Sequence, residues 1–483
     1  MILGFILIFF MTRYLGPENY GVLAWTMSFI AVFNIISDFG VSYAHIKRVS
    51  EGQDVNACVS TFAFLKLGLT ALMVTICLAS VFIYNVGSMN QFSGDAFTIL
   101  LCLLGYQVLG DLVTIAKTTF DARLITSKSQ MISIVDPLVR VPSIIIILVA
   151  GLGGVIQVAL AYLATGIAVS IIAIILFSKE HVKWQKPTLL RSYASFALPV
   201  GLAVVAGVLV SNIDKLSLGY FWSKADVGFY TSGLSLLQMF GIIGTAVSFI
   251  AFPVFSMMQK NGKREDIKHR VKQAERYISM ISMPVVIILV MFPDITARML
   301  FGADFAPAGK TMPFLAISVF CYQLNQVACS FMLASGQPGM LAKLTWMQLI
   351  LLTALLMLFV PSSLLGVSML GLAYQGAALA NMIAMIVMFV VARYYIWKVA
   401  NVGIYLRLYL HVLVAFVVAV LLFLLSMFLP INAWYILGIF GILAYLVYFG
   451  IMYAIKELTN RDIQLFLDMA NFRKMRDYIK GEF

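Results

Sequence analysis

Charge is what this sequence has least of. Only 11% of its 483 residues are Asp, Glu, Lys or Arg, against about 25% in a soluble domain. With 62% hydrophobic residues, the chain has too little polar surface to cover a water-soluble core. Histidine is scarce, four scattered residues, which argues against a metal centre. The five cysteines, Cys58, Cys77, Cys102, Cys321 and Cys329, lie in or beside apolar runs without paired spacing. Neither a disulfide framework nor a metal site is expected from them. No phosphate-cradling glycine loop is present, so ATP is not an evident energy source. No outer loop is long enough for a catalytic domain. The opening run, Met1 to Met11, lacks the basic start and small-residue cleavage site of a signal peptide and reads as a short first helix.

What is there, from end to end, is apolar runs of spanning length, roughly 20 residues each. The expectation is an all-α polytopic membrane protein. Fourteen spans fit the sequence: 1–12, 20–44, 60–85, 96–116, 130–151, 154–178, 194–217, 226–255, 277–300, 309–333, 340–361, 370–397, 406–428 and 434–455. The net charge of +12 would suggest nucleic acid on a soluble protein. Here the basic residues gather in alternate loops: Lys117, Arg123 and Lys128 after span four, Lys179 to Arg191 after span six, Lys260 to Arg276 after span eight, Lys398 and Arg407 after span twelve. The loops after spans three, five, eleven and thirteen carry no Lys or Arg. That alternation is the positive-inside pattern. It expects a multi-pass protein of the cell membrane with both termini cytoplasmic, and no nucleic-acid partner. Thr459-Asn-Arg-Asp462 resembles a capping box opening an amphipathic surface helix in the tail.

A polar break recurs. "GPENYGVL" at Gly16–Leu23 aligns with "SKADVGFY" at Ser223–Tyr230, 207 positions on. Leu124–Ser127 aligns with Leu333–Gly336 at offset 209, and Leu160-Ala-Tyr162 with Leu372-Ala-Tyr374 at offset 212. Each match alone is weak; three in order at nearly one offset indicate a duplication. The offset equals six spans, an even number, so the copies run parallel about an axis along the membrane normal. The expected organisation is a lobe 1–178, a linker 179–193, a second lobe 194–399, extra helices in 400–456 and a tail 457–483. Each copy is expected to begin with a helical hairpin whose outer turn is the polar break.

The stretches Arg13–Glu51, "RYLGPENYGVLAWTMSFIAVFNIISDFGVSYAHIKRVSE", and Asn212–Leu237, "NIDKLSLGYFWSKADVGFYTSGLSLL", resemble the prokaryotic polysaccharide transporters, the Wzx-type oligosaccharide flippases. The resemblance covers the whole chain, including span count and loop charge. It implies the fold shared with multidrug exporters and the peptidoglycan-precursor flippase, two six-helix lobes facing a central cavity. It also implies movement of a lipid-linked oligosaccharide between leaflets, with membrane lipids and polysaccharide assembly enzymes as partners. Family members have a longer first helix than Met1 to Phe10.

Charges inside spans are costly and mark cavities or partners. Asp38 in span two is expected either to line the cavity, as a cation or proton site, or to pair with a basic neighbour. Lys47 and Arg48 end that span, as topology anchors or as gate contacts to pyrophosphate. Lys66 in span three either snorkels to the interface or points inward to phosphate. Asp136 and Arg140 share one face of span five at i, i+4; Arg140 is either half of a structural pair or a switchable anion ligand, since its planar fork fits phosphate oxygens. Asp214 and Lys215 near the outer end of span seven are cavity lining or a structural pair. Thr114, Lys117 and Asp121 share one face of span four and map, at offset 209, to Gln323, Gln326 and Ser330 in span ten. The two stripes suit a shared cavity, or a polar helix seam.

With these charges, the resemblance implies a non-enzymatic flippase for a polyprenyl (pyro)phosphate-linked oligosaccharide, working by alternating access. No cofactor is expected beyond coupling to H⁺ or Na⁺, for which Asp38 and Asp214 are the candidates. Two rivals remain open: a multidrug exporter of the same superfamily, and a membrane polysaccharide polymerase or ligase, for which no catalytic outer loop is visible.

Overall fold

In lipid a backbone must satisfy its own polar groups, which leaves long apolar runs the α-helix. The computed structural model describes residues 2–86, 94–260, 264–403, 405, 407–429, 431, 433–460 and 462–464. Among them, thirteen helices are long and apolar enough to cross a membrane. The number is one below expectation because the first two spans form one element, α1 (Ile2–Asp38), interrupted only at Gly16. Gly16 takes φ 72° and ψ 172°, a conformation open to glycine and strained for other residues. Pro17 then starts the second arm, where its fixed φ suits a first helical position. "GPENYG" is therefore not a polar turn. One glycine makes the break, and Glu18 to Gly21 are already helical.

The second arm stops at Asp38, short of the expected 44. Gly40, at φ 84°, redirects the chain into a separate short helix, α2 (Val41–Ser50). The first lobe continues through α3 (Val55–Val86), α4 (Asp95–Ala122), α5 (Thr126–Val149) and α6 (Val155–Ser178). Expected span seven is also shorter: α7 (Leu190–Val210) ends before Ser211 and Asn212. Their side chains bond back to the carbonyls of Gly207 and Val208, each at 2.9 Å. A short α8 (Ile213–Phe221) follows, then α9 (Lys224–Lys260). Asp214 and Lys215 thus sit on α8, not in span seven.

The second lobe adds α10 (Arg264–Met291), α11 (Pro293–Phe301), a 3₁₀ helix (Ala303–Thr311), α12 (Met312–Ala334), α13 (Pro338–Phe359) and α14 (Ala373–Ala400). The extra helices are α15 (Leu408–Phe428) and α16 (Trp434–Ala454), which pack on each other and on α10. Within the lobes α4 packs on α6, and α12 on α9, α10 and α14. The main contact between lobes is α1 against α9, whose buried Leu23, Trp25, Leu236 and Leu237 belong to one apolar core.

The two copies of the polar break meet in that contact. A Cβ on Gly21 would lie 1.7 Å from the Lys224 carbonyl oxygen, and one on Gly228 would lie 2.3 Å from the Pro17 carbonyl oxygen. The Ala225 N–H donates to Glu18 Oε2 at 3.2 Å. Arg13 donates to the carbonyls of Met299 and Leu300 at the end of α11. These contacts close the end of the molecule away from the basic loops.

On the basic-loop side the buried Glu457 gathers Arg276, Arg407 and the Tyr405 hydroxyl, fastening the chain after α16 to α10. The expected capping box is present: the Thr459 N–H donates to Asp462 Oδ2 at 2.9 Å, and the Asp462 N–H to Thr459 Oγ1 at 3.4 Å. The tail helix it would open lies, beyond residue 464, outside the described residues.

Candidate functional site: a charged pocket in the first lobe

At the end opposite the Gly21–Gly228 contact, α1, α2, α3 and α4 line a cavity of about 630 Å³ whose wall runs along α4 to Lys117 and Asp121, next to the basic loop that follows Ala122. Four turns of α4 supply much of its wall. Tyr106, Gln107, Gly110, Asp111, Thr114, Lys117, Thr118 and Asp121 recur every three or four residues, the spacing of a single helix face. Asn34 and Asp38 come from the end of α1, Ser42 and Tyr43 from α2, and Lys66 from α3.

Lys66 lies at the bottom, its side chain 3% exposed. Its ammonium stands 3.0 Å from Asp111 Oδ1, 3.5 Å from Asp38 Oδ1 and 3.4 Å from Ser37 Oγ. Thr70 Oγ1 donates to the second oxygen of Asp111 at 3.2 Å, and Ser42 donates to Asp38. A buried ammonium is stable only when charge and hydrogen bonds compensate it. Here two carboxylates do so, and Lys66 turns into the protein rather than snorkelling. Lys117 and Asp121, one turn apart at the rim, make no side-chain hydrogen bond or ion pair among the described residues. Three carboxylates against two ammonium groups leave the pocket with one net negative charge.

Of the residues singled out in the sequence, Asp38, Lys66, Thr114, Lys117 and Asp121 come together here. Arg48 does not line the pocket; it bonds Glu51 at 2.7 Å and the Ser192 carbonyl at 3.3 Å, tying α2 to the start of α7. Arg140 pairs with Asp136 at 2.8 Å and lies 5.1 Å from the centre of the Tyr162 ring. It reaches the pocket only indirectly, because the pocket-lining Tyr106 donates to Asp136 at 2.7 Å. Asp214 is buried in the second lobe, accepting from the Tyr230 hydroxyl at 2.5 Å and the Lys215 N–H at 2.7 Å. Asn381 donates to that hydroxyl at 3.4 Å and accepts from Ser318 at 2.6 Å. The Lys215 ammonium bonds the Ser211 carbonyl at 2.6 Å.

Two members of the second polar stripe, Gln323 and Ser330, bond to neighbouring helices, while the Gln326 side chain bonds within its own helix. Gln323 is buried and accepts from Ser282 at 2.5 Å while donating to the Phe240 carbonyl. Ser330 bonds Ser248 on α9, and Gln326 donates to Tyr322. At these equivalent positions the two halves differ in charge, Lys117 and Asp121 in the first against Gln326 and Ser330 in the second.

Asp111 was missed in the sequence. Its signal is the one that marks Asp38 and Lys66, an isolated charge inside an apolar run, "LLGYQVLGDLV". Glu275 and Arg393 form a second such pair, both side chains nearly fully buried, between α10 and α14.

Residues 10–310 match the model of a family described as polysaccharide biosynthesis protein. A probable low-salt glycan biosynthesis flippase of Haloferax volcanii, Agl15, is 21% identical over 351 residues, 72% of each chain. The solved structure of the lipid II flippase MurJ, in an inward closed conformation, superposes with a TM-score of 0.74 over 95% of this chain and 97% of that one, at 14% identity. A multidrug resistance MATE family transporter of the MOP superfamily, inward-facing, gives 0.64 over 83% and 96%, at 18% identity. At these identities the structural likeness speaks for the fold, two facing lobes of six spans. The family model spans more than half of the sequence, and the chain belongs to the polysaccharide biosynthesis protein family.

Proposed function

We propose that the protein is a flippase that carries a polyprenyl (pyro)phosphate-linked oligosaccharide from the inner to the outer leaflet by alternating access, without enzymatic chemistry. The observation that carries the reading is the pairing of an open, charged pocket at one end with glycine-tight closure between the lobes at the other. Charged and polar groups inside a membrane protein offer a hydrated head group an alternative to hydrocarbon, and the lipid tail stays in the bilayer. By the positive-inside rule, the pocket and both termini would face the cytoplasm. Asp38, beside Lys66, and Asp214, beside Tyr230, are the carboxylates through which H⁺ or Na⁺ would couple to the cycle. Polysaccharide assembly enzymes are the partners that would supply and consume the lipid-linked glycan.

The test is outward movement of a fluorescent polyprenyl-diphosphate oligosaccharide in proteoliposomes of the purified chain. Movement above protein-free vesicles is expected, with loss of at least about ten-fold, or roughly 1.4 kcal/mol, in folded Asp38→Asn. One observation favours a second reading: a pocket with net negative charge also suits an organic cation. Drug–cation exchange without glycan movement in the same vesicles would establish that exporter instead.

A further inference from the structure

Resting on the flippase reading, we infer that this pocket receives the uncharged part of the glycan, and that the transporter discriminates against oligosaccharides bearing acidic sugars near the pocket. The phosphates of the carrier stay outside it.

The argument is one of charge and of unused hydrogen bonds. A phosphate or uronate would need a cation free to meet it. Lys66 is held by Asp111 and Asp38 at 3.0 and 3.5 Å and is almost wholly buried. An anion could reach it only by displacing a carboxylate. Lys117 stands one turn from Asp121 on the same face of α4, so an anion drawn to the lysine meets the aspartate as well. The facing lobe brings no compensating charge at the equivalent stripe, where Gln326 and Ser330 replace Lys117 and Asp121. Opposed to an acidic sugar is therefore a wall of three carboxylates and two ammonium groups, whose uncommitted groups are the Asp121 carboxylate with the Lys117 ammonium one turn away, an amide and an aromatic ring.

Those groups are what a neutral sugar requires. Asp121 makes no side-chain hydrogen bond among the described residues and can accept from sugar hydroxyls. The Gln107 amide is likewise unbonded and offers donors and an acceptor together. Tyr43, 55% exposed, presents a ring against which a pyranose C–H face can lie. Amphipathic rings of this kind serve ligands that are apolar on one face and polar at the edge.

The test uses the full chain in proteoliposomes and two synthetic substrates on one polyprenyl-diphosphate carrier. They have the same number of sugars, one of neutral hexoses alone and one with a single hexuronic acid. Wild type is expected to move the neutral glycan about ten-fold faster, the scale of one like charge at a partly screened site. Asp121→Asn, which breaks no hydrogen bond or ion pair among the described residues, should narrow the ratio to about three-fold or less, and Asp121→Glu should restore it. Rising salt should narrow it in wild type as well. Equal or faster movement of the acidic glycan by wild type overturns the inference while leaving the flippase standing. So does a ratio unchanged in folded Asp121→Asn. Movement of neither glycan overturns the flippase reading, and this inference with it.

Discussion

Gly21 and Gly228 occupy matching places in the two halves of the chain, 207 residues apart, and each presses on the backbone that precedes the other. A single methyl at Gly21 would overlap the Lys224 carbonyl and displace α9. Gly21→Ala is therefore expected to hold the lobes apart at this end, at a strain of roughly 1–3 kcal/mol. Cysteines at Glu18 and Ala225, whose carboxylate and N–H now bond at 3.2 Å, test the same contact. In a background without the five natural cysteines, oxidation should arrest glycan movement and reduction restore it. Undiminished movement after complete cross-linking would mean that this end never opens.

The ammonium of Lys66 is the sole cation within 4 Å of either Asp38 or Asp111 among the described residues. Lys66→Met leaves Asp111 buried and uncompensated, a loss expected to cost about 3–5 kcal/mol. The double variant Lys66→Met/Asp111→Asn should recover a large share. Thermal unfolding in detergent reads both. A single variant as stable as wild type would show that the triad contributes no stability.

Arg140 separates structural from substrate-facing charge. It stands outside the pocket, paired with Asp136 and set against Tyr162. Arg140→Gln should lower thermal stability yet keep glycan movement within about three-fold, whereas Asp38→Asn should lose about ten-fold, roughly 1.4 kcal/mol on the barrier. Loss of movement in a stable Arg140→Gln protein would give Arg140 a direct part in handling the head group.

A pH window follows from the tether beyond α16. Burial pushes the Asp462 carboxyl up, but the Thr459 hydroxyl and N–H, the Tyr277 hydroxyl and the Arg276 guanidinium outweigh it and hold the group down at about 2. The folded value lies below the usual value of about 3.9. The stabilisation is therefore complete above about pH 4 and drains away as pH falls toward 2. Amide exchange over residues 457–460 should rise through that interval. In Asp462→Asn it should be high already at pH 5 and flat below. Exchange independent of pH in wild type would remove Asp462 from the tether.

Run lengths made the helices legible, because about 20 apolar residues admit little else in a bilayer. Helix ends were less so. Ser211 and Asn212 look like interior residues of a span until their side chains are seen to take up carbonyls at its end. The matching breaks at Gly16 and Ser223 point to a repeat in the sequence, yet nothing in their spacing says that the two stretches touch. The pocket divided in the same way. Asp38, Lys66 and Lys117 announce themselves as charges in or beside apolar runs. That Lys66 would be claimed by Asp111 depends on how α3 turns toward α4, which sequence spacing does not encode. The stripe of Gln323 could not be assigned from sequence either, since a polar residue is satisfied equally by a cavity or by a neighbouring helix.

An ancestor assembled from two identical halves would have offered its cargo two equivalent walls, and so two ways to load related by a half-turn about the membrane normal. In this chain the carboxylates and ammonium groups of the pocket belong to one half, while the matching stripe of the other is spent on its own helix contacts. On the flippase reading proposed above, a cargo that seats against charge therefore has one loading orientation rather than two.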